Sequence, residues 1–295
     1  MFRALIYSAV FIVGFVGVSL WSFWLITHPA KIIIGAKPTD FGLEYENIEL
    51  KTKDGLKLTA WFIPAPKSNL TNFSRSQKIE PARALILIHG YPAEKADMLP
   101  LAKALNSDFP AILFDMRYFG KSEGKISTLG KKETFDLATA LDFLESRGYK
   151  KIGVFGFSLG GATAIMKAAE DPRINAVAAY GSFADLKLLG LNTYQNLWIL
   201  KYPLVELLSL WAKIFLDYDV VQLSPQKSAQ KLNIPVLIIQ SRGDEQIPFE
   251  HGLRFKDALS KNPKAEFYFL ENGLHGELPP DFGKSMLEFF KKSLK

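Results

Sequence analysis

Six short apolar runs, each bounded by turn residues, limit what this chain can fold into. They are "ALILIHG" (84–90), "AILFD" (111–115), "KIGVF" (151–155), "INAVAAYGS" (174–182), "PVLIIQ" (235–240) and "EFYFLE" (266–271). A strand with one wet face alternates apolar and polar residues; runs this continuous are expected of strands buried on both faces. Stretches of helical period lie between them. "EKADMLPLAKALNSD" follows the first run, and "TFDLATALDFLESRG" (134–148) sets Leu137, Ala138, Leu141 and Leu144 on one face before a capping Gly148. "GGATAIMKAAED" reads as a helix of small residues. Strands alternating with helices predict a mostly parallel sheet wrapped on both faces. At 295 residues and 48% hydrophobic, the chain can build one such domain with a sizeable core.

Two regions stand outside this alternation. "ALIYSAVFIVGFVGVSLWSFWLIT" (4–27) contains no charged residue. As a helix it spans about 36 Å, against about 30 Å of bilayer hydrocarbon. Trp21 and Trp24 sit near its end, where amphipathic rings favour an interface. A cleavable signal peptide would have a shorter apolar region and a small-x-small exit, and "THPAKIII" offers none. Residues 1–30 are therefore read as an uncleaved single-pass membrane anchor and 31–295 as the folded domain. Arg3 faces Lys31 and Lys37 across the span, and the reading leans to an extracytoplasmic domain, since long domains translocate whatever their flanking charge. The second region is 184–228, helical, broken at Pro203 and rich in Leu, Trp and Tyr. It is too long for a simple crossover, so it reads as an inserted helical cap. Elsewhere, Asp54-Gly55 between two alternating segments predicts a hairpin over 45–66. The polar residues 67–83 read as a loop, with sequons at Asn69 and Asn72.

The third strand run ends in "GFSLGG", where Gly156, Ser158 and Gly160 spell G-x-S-x-G and Gly161 follows. Such a turn between strand and helix holds a serine hydroxyl clear of the backbone. A serine is a weak nucleophile until a histidine takes its proton and a carboxylate orients that histidine. In a parallel sheet all three belong on loops after the strands, at their carboxyl ends. Asp244 in "IIQSRGDEQIP" and His275 in "YFLENGLHGE" occupy such loops, in the order Ser, Asp, His. Glu245, Asp217 and Asp219 are the competing acids. His28 reads as an interfacial residue, His89 as a shaper of its loop and His251 as a surface or packing residue. The backbone N–H groups of Leu159 and Tyr91 are the candidate donors to an oxyanion.

These motifs resemble the alpha/beta-hydrolase superfamily over about residues 44–292. The likeness is carried by "HGYP", "DMRYFGKSEG", "GFSLGG", "RGDEQIP" and "GLHGE", and the D-x-R-x-x-G-x-S segment at 115–122 resembles a turn of many capped members. The likeness is to serine esterases and lipase-like hydrolases with an amino-terminal anchor. It implies an eight-stranded sheet, a cap after the sixth strand, and no metal or organic cofactor. Serine at position 158, where haloalkane dehalogenases carry aspartate, argues against that branch. "HGYP" departs from the H-G-G-G of some esterases.

The function expected is hydrolysis of carboxylic esters, lipid or thioester acyl groups included. A peptidase or amidase on the same residues and a non-catalytic binding module are the alternatives. Expected partners are a small-molecule or lipid ester and, through the first helix, a membrane. The +6 net charge is spread without a basic block, so no nucleic-acid partner is expected. The absence of cysteine excludes disulfides and a thiolate nucleophile. The apolar side chains of the cap exceed what a crossover needs, and three destinations are open to them: the sheet, an acyl-binding cleft or the bilayer. Removal of residues 1–30 is expected to leave short-ester hydrolysis unchanged.

Overall fold

The computed structural model describes residues 2–66 and 82–295. The Asn69 and Asn72 sequons, and most of the segment expected to be a loop, lie outside them. Eight strands form one sheet: β1 (Glu46–Lys51), β2 (Lys57–Ile63), β3 (Arg83–Ile88), β4 (Ala111–Phe114), β5 (Lys151–Phe157), β6 (Ile174–Tyr180), β7 (Val236–Ser241) and β8 (Ala265–Leu270). Their order is β1-β2-β4-β3-β5-β6-β7-β8. β1 and β2 form the hairpin that Asp54-Gly55 announces, and β2 runs antiparallel to β4. The remaining pairings are parallel.

The continuous apolar runs have the expected cause. In β3, Ala84, Ile86 and Ile88 pack into a core on one face, and Leu85 and Leu87 into a second core on the other. Helices α3 (Glu133–Ser146), α4 (Leu159–Ala168) and α8 (Glu250–Ala258) cover the first face. Helices α2 (Leu99–Leu105) and α9 (Phe282–Ser293) cover the second. The chain passes from β3 outward to β4 and then returns to the other side of β3 as β5. The loops leaving β3 and β5 therefore diverge, which opens a crevice at the carboxyl ends of these strands.

Between β6 and β7 stand α5 (Leu186–Thr193), α6 (Lys201–Phe215) and α7 (Pro225–Ala229). Pro203 does not break this region. It lies in the first turn of α6, where its missing N–H has no intrahelical acceptor to lose. The interruption comes earlier, in the 3-10 turn Gln195–Leu200, at Trp198 with φ 49°.

The apolar amino-terminal segment forms α1 (Phe2–Thr27). Residues 2–14 are exposed, and further along Ser19, Phe23 and Thr27, spaced four apart, are buried against the domain. Trp211 Nε1 of α6 donates to Ser19 Oγ at 2.9 Å, and the Phe23 and Phe215 rings stack 5.9 Å apart. Downstream, the Ser127 N–H donates to the Thr27 carbonyl and Tyr118 Oη to that of Pro29. This packing ties the end of α1 to the domain, a union that a division at residue 30 does not anticipate.

Candidate active site

β5 delivers the chain to Ser158 at φ 52° and ψ −115°, a conformation that costs a non-glycine residue about 1–3 kcal/mol. The surrounding glycines make that turn possible. A Cβ on Gly156 would collide with the Gly160 carbonyl, one on Gly160 would lie 2.5 Å from the His89 carbonyl oxygen, and one on Gly161 would meet Ser182 Oγ. The Ser158 N–H donates to the Tyr180 carbonyl at 2.8 Å, and α4 starts at the next residue. The Ser158 side chain has no hydrogen-bond partner among the described residues, and it lines a mostly apolar cavity of about 500 Å³.

The loops after β7 and β8 bring Asp244 and His275 together. His275 Nδ1 lies 2.8 Å from Asp244 Oδ2, and both side chains are nearly buried. Asp244 is fixed from several sides: Oδ1 accepts the N–H groups of Ile247 and Gln246, and Oδ2 accepts Gln240 Nε2. A carboxylate held this way selects the tautomer with its proton on Nδ1 and leaves Nε2 free to accept one. Phe157, next to Ser158, lies against the His275 ring at 4.8 Å between centroids. No hydrogen bond joins Ser158 to His275 in this structure. The serine–histidine contact is the one link of the expected trio that is open.

Glu245, the competing acid, has a separate place. Its Oε2 accepts the His275 backbone N–H at 2.9 Å, and that bond holds the Glu245 carboxyl below its ordinary pKa. The loop carrying His275 is also pinned by Tyr180 Oη on the Glu277 carbonyl and Ser241 Oγ on the Gly273 carbonyl. Asp219 caps a short turn of the cap region through the Val221 N–H. The N–H of Leu159, first residue of α4, and that of Tyr91, on the loop after β3, have no acceptor among the described residues, and both residues border the cavity.

Two other histidines, His89 and His251, are braces. His89 Nδ1–H donates to the Gly90 carbonyl, and Nε2 accepts the Met116 N–H. Burial lowers its pKa to about 4, so the ring is neutral and locks the β3 loop to the β4 loop. His251 is fully buried, so of the surface and packing readings the structure takes the packing one. Its Nδ1 accepts the Ala184 N–H at the entrance to the cap, and burial lowers its pKa to about 4.

Sequence reasoning missed the polar frame beneath these loops. Asp115 accepts Lys95 Nζ at 2.6 Å together with the N–H groups of Lys95 and Lys121. Burial alone would raise the Asp115 pKa, but the adjacent Lys95 ammonium holds it below its ordinary value. Gly120, at φ +49°, has no room for a Cβ beside the Asp115 carboxylate. Arg117 pairs with Asp136 and Asp54, and Ser122 Oγ donates to the Asp115 carbonyl. The D-x-R-x-x-G-x-S segment is thus a buried scaffold. Its signal was present in the sequence, but its partners Lys95 and Asp136 sit in segments that read only as helix.

The sheet order, the helices on both faces and the strand–serine–helix turn decide the architecture. The chain has the alpha/beta-hydrolase fold. A family model of that fold matches residues 83–202. The chain is 31% identical over 156 residues to protein bem46 of Schizosaccharomyces pombe, a match spanning 51% of this chain and about half, 48%, of that protein. An esterase from Pyrococcus furiosus superposes with a TM-score of 0.70 at 22% identity, covering 90% of this chain and all of the esterase. An acylaminoacyl peptidase from Pyrococcus horikoshii does so with a TM-score of 0.64 at 20% identity, over 86% of this chain and 42% of its own. Identities this low establish the hydrolase fold and leave the substrate to the site.

Proposed function

We propose that this protein is a serine hydrolase that cleaves carboxylic esters with apolar acyl chains. The observation that carries the reading is the 2.8 Å Asp244–His275 pair beside an unbonded, backbone-strained Ser158 at the edge of an apolar cavity. In this reading Ser158 Oγ attacks the ester carbonyl while His275 Nε2 takes its proton, and Asp244 stabilises the imidazolium. The N–H groups of Leu159 and Tyr91 receive the oxyanion, aided by the positive end of α4. His275 then protonates the departing alkoxide. A water molecule, deprotonated by His275, attacks the acyl-enzyme and releases the acid. The apolar cavity wall favours an acyl chain over a peptide at about 0.8 kcal/mol per buried CH₂.

We read α1 as a membrane anchor. Its length and its lack of charge beyond Arg3 suit a span, and the bonds that join its end to the domain suit a retained segment better than a cleaved leader.

The test is a fluorophosphonate probe on the full chain, followed by p-nitrophenyl esters from acetyl to decanoyl. Labelling that disappears in Ser158→Ala is expected, with kcat/KM rising more than about tenfold along the series. Folded protein that takes no label would be a binding module. Anilides turned over as fast as esters would make it an amidase.

A further inference from the structure

The end of α1 does more than attach the domain. Phe23 and Ile26 line the same cavity as Ser158, facing Leu208 and Ala212 of α6. Tyr91 Oη, from the loop whose N–H is the candidate oxyanion donor, donates to the Ile26 carbonyl at 2.7 Å. One wall of the cavity is therefore a seam between α1 and the cap.

Helix length then sets the depth of that seam. The part of α1 in which every residue is exposed, residues 2–14, supplies about 20 Å at about 1.5 Å per residue. The hydrocarbon core of a bilayer is about 30 Å thick. The missing 10 Å or so has to come from the next two turns, about residues 15–21. Ser19 lies in that stretch and receives Trp211 of the cap. If α1 spans, the cap helix beside it cannot stay in water.

The cap surface fits that position. Trp198 is 81% exposed, Ile199 62%, Phe215 58%, Ile214 56% and Leu210 45%. The only carboxylate between 186 and 216 is Glu206, and it is paired with Lys187. Lys201 and Lys213 have no carboxylate partner among the described residues, and long cationic stems can reach headgroups from an apolar layer. Trp21 stands at the end of the stretch that completes the span, and Trp24 about one turn beyond it.

We propose that the cap is immersed in the leaflet that α1 crosses, and that the cavity takes the acyl chain of its substrate from that leaflet through the seam lined by Phe23 and Ile26. The partner surface is a lipid bilayer. The proposal rests on α1 as a span and on the cavity as the acyl site.

Because the chain lacks cysteine, a single one can be introduced as a label site. The full chain carrying Ile199→Cys, labelled with an environment-sensitive nitrobenzoxadiazole dye, goes into phosphatidylcholine vesicles with nitroxides on the acyl chains. Lys261→Cys, exposed on the loop before β8, is the reference. Blue-shifted, strongly quenched emission at position 199 and water-like, unquenched emission at 261 are expected. Water-like emission at both overturns immersion. Ile26→Trp narrows the seam by about two methylenes, so the decanoyl-to-acetyl ratio of kcat/KM falls about tenfold. An unchanged ratio overturns the role of α1 as the acyl wall. The dye measurement needs no turnover, so a chain that hydrolyses nothing would end the esterase reading while position 199 still reports where the cap lies.

Discussion

Two regions meet at Ser158 and are built on opposite principles. The carboxyl ends of the strands are held by directional polar contacts: His89 between two loops, Lys95 on Asp115, Arg117 on Asp136, and Asp244 with its donors. The cap and the end of α1 are joined mainly by Phe23, Ala212, Leu216, Tyr218 and their apolar neighbours, with few hydrogen bonds. Directional bonds fix atoms to within a few tenths of an ångström, whereas apolar contacts tolerate many side-chain arrangements. Under the proposed function, the polar frame holds the reacting groups in one geometry and the apolar seam admits chains of different length.

The largest effect is expected where the frame meets the chemistry. Ser158→Ala should lower kcat by about 10⁴–10⁶, and Asp244→Asn by about 10⁴, because the asparagine removes the charge and favours the wrong tautomer. Glu245→Gln, which keeps an acceptor for the His275 N–H, should change kcat by less than about tenfold. A Glu245 effect equal to that of Asp244 would mean that the carboxylates of this loop have been assigned the wrong way round.

Next in size is the frame itself. Arg117→Met leaves Asp136 buried and uncompensated, with an expected loss of about 3–5 kcal/mol in urea unfolding. A loss below about 1 kcal/mol would show that the buried ion pair contributes nothing to holding the loops.

Acid should reveal the same frame. His89 and His251 have folded pKa values lowered to about 4, below the ordinary 6.5. Above pH 6.5 both are neutral in either state and their contribution is intact. As pH falls from 6.5 to about 4, the unfolded chain binds protons that the folded one refuses, and stability falls by up to about 3 kcal/mol for each. Asp54 and Asp171, lowered to about 2 chiefly by hydrogen bonds from Arg117 and Arg173, respond only below about pH 4. Unfolding midpoints measured at pH 7 and 4.5 that coincide would contradict the neutral, buried histidines.

The smallest effect is expected in the seam. Trp211→Phe removes the bond to Ser19 while keeping most of the ring, for a stability loss of about 1 kcal/mol. Removal of residues 1–30 deletes Phe23 and Ile26 from the cavity wall, so long-chain esters should suffer more than acetyl esters. Equal losses on both would show that α1 serves the fold and not the acyl site.

The sequence by itself determined the strands, the hairpin and the residues of the candidate site. Strand runs without polar interruption, Asp54-Gly55, and Gly156, Gly160 and Gly161 around Ser158 are local signals, each legible within a few residues because backbone sterics and burial act at that range. Asp244 and His275 were legible because both lie on loops just past apolar strands. Only the tertiary structure decided that His251 is buried, that the chain bends at Trp198 and not at Pro203, and that Lys95 is the partner of Asp115. It alone joined Trp211 to Ser19, 192 residues apart, and Tyr91 to Ile26, 65 apart. Such contacts leave no periodicity behind, since a hydrogen bond between distant residues is set by how whole helices pack and not by the composition of either segment.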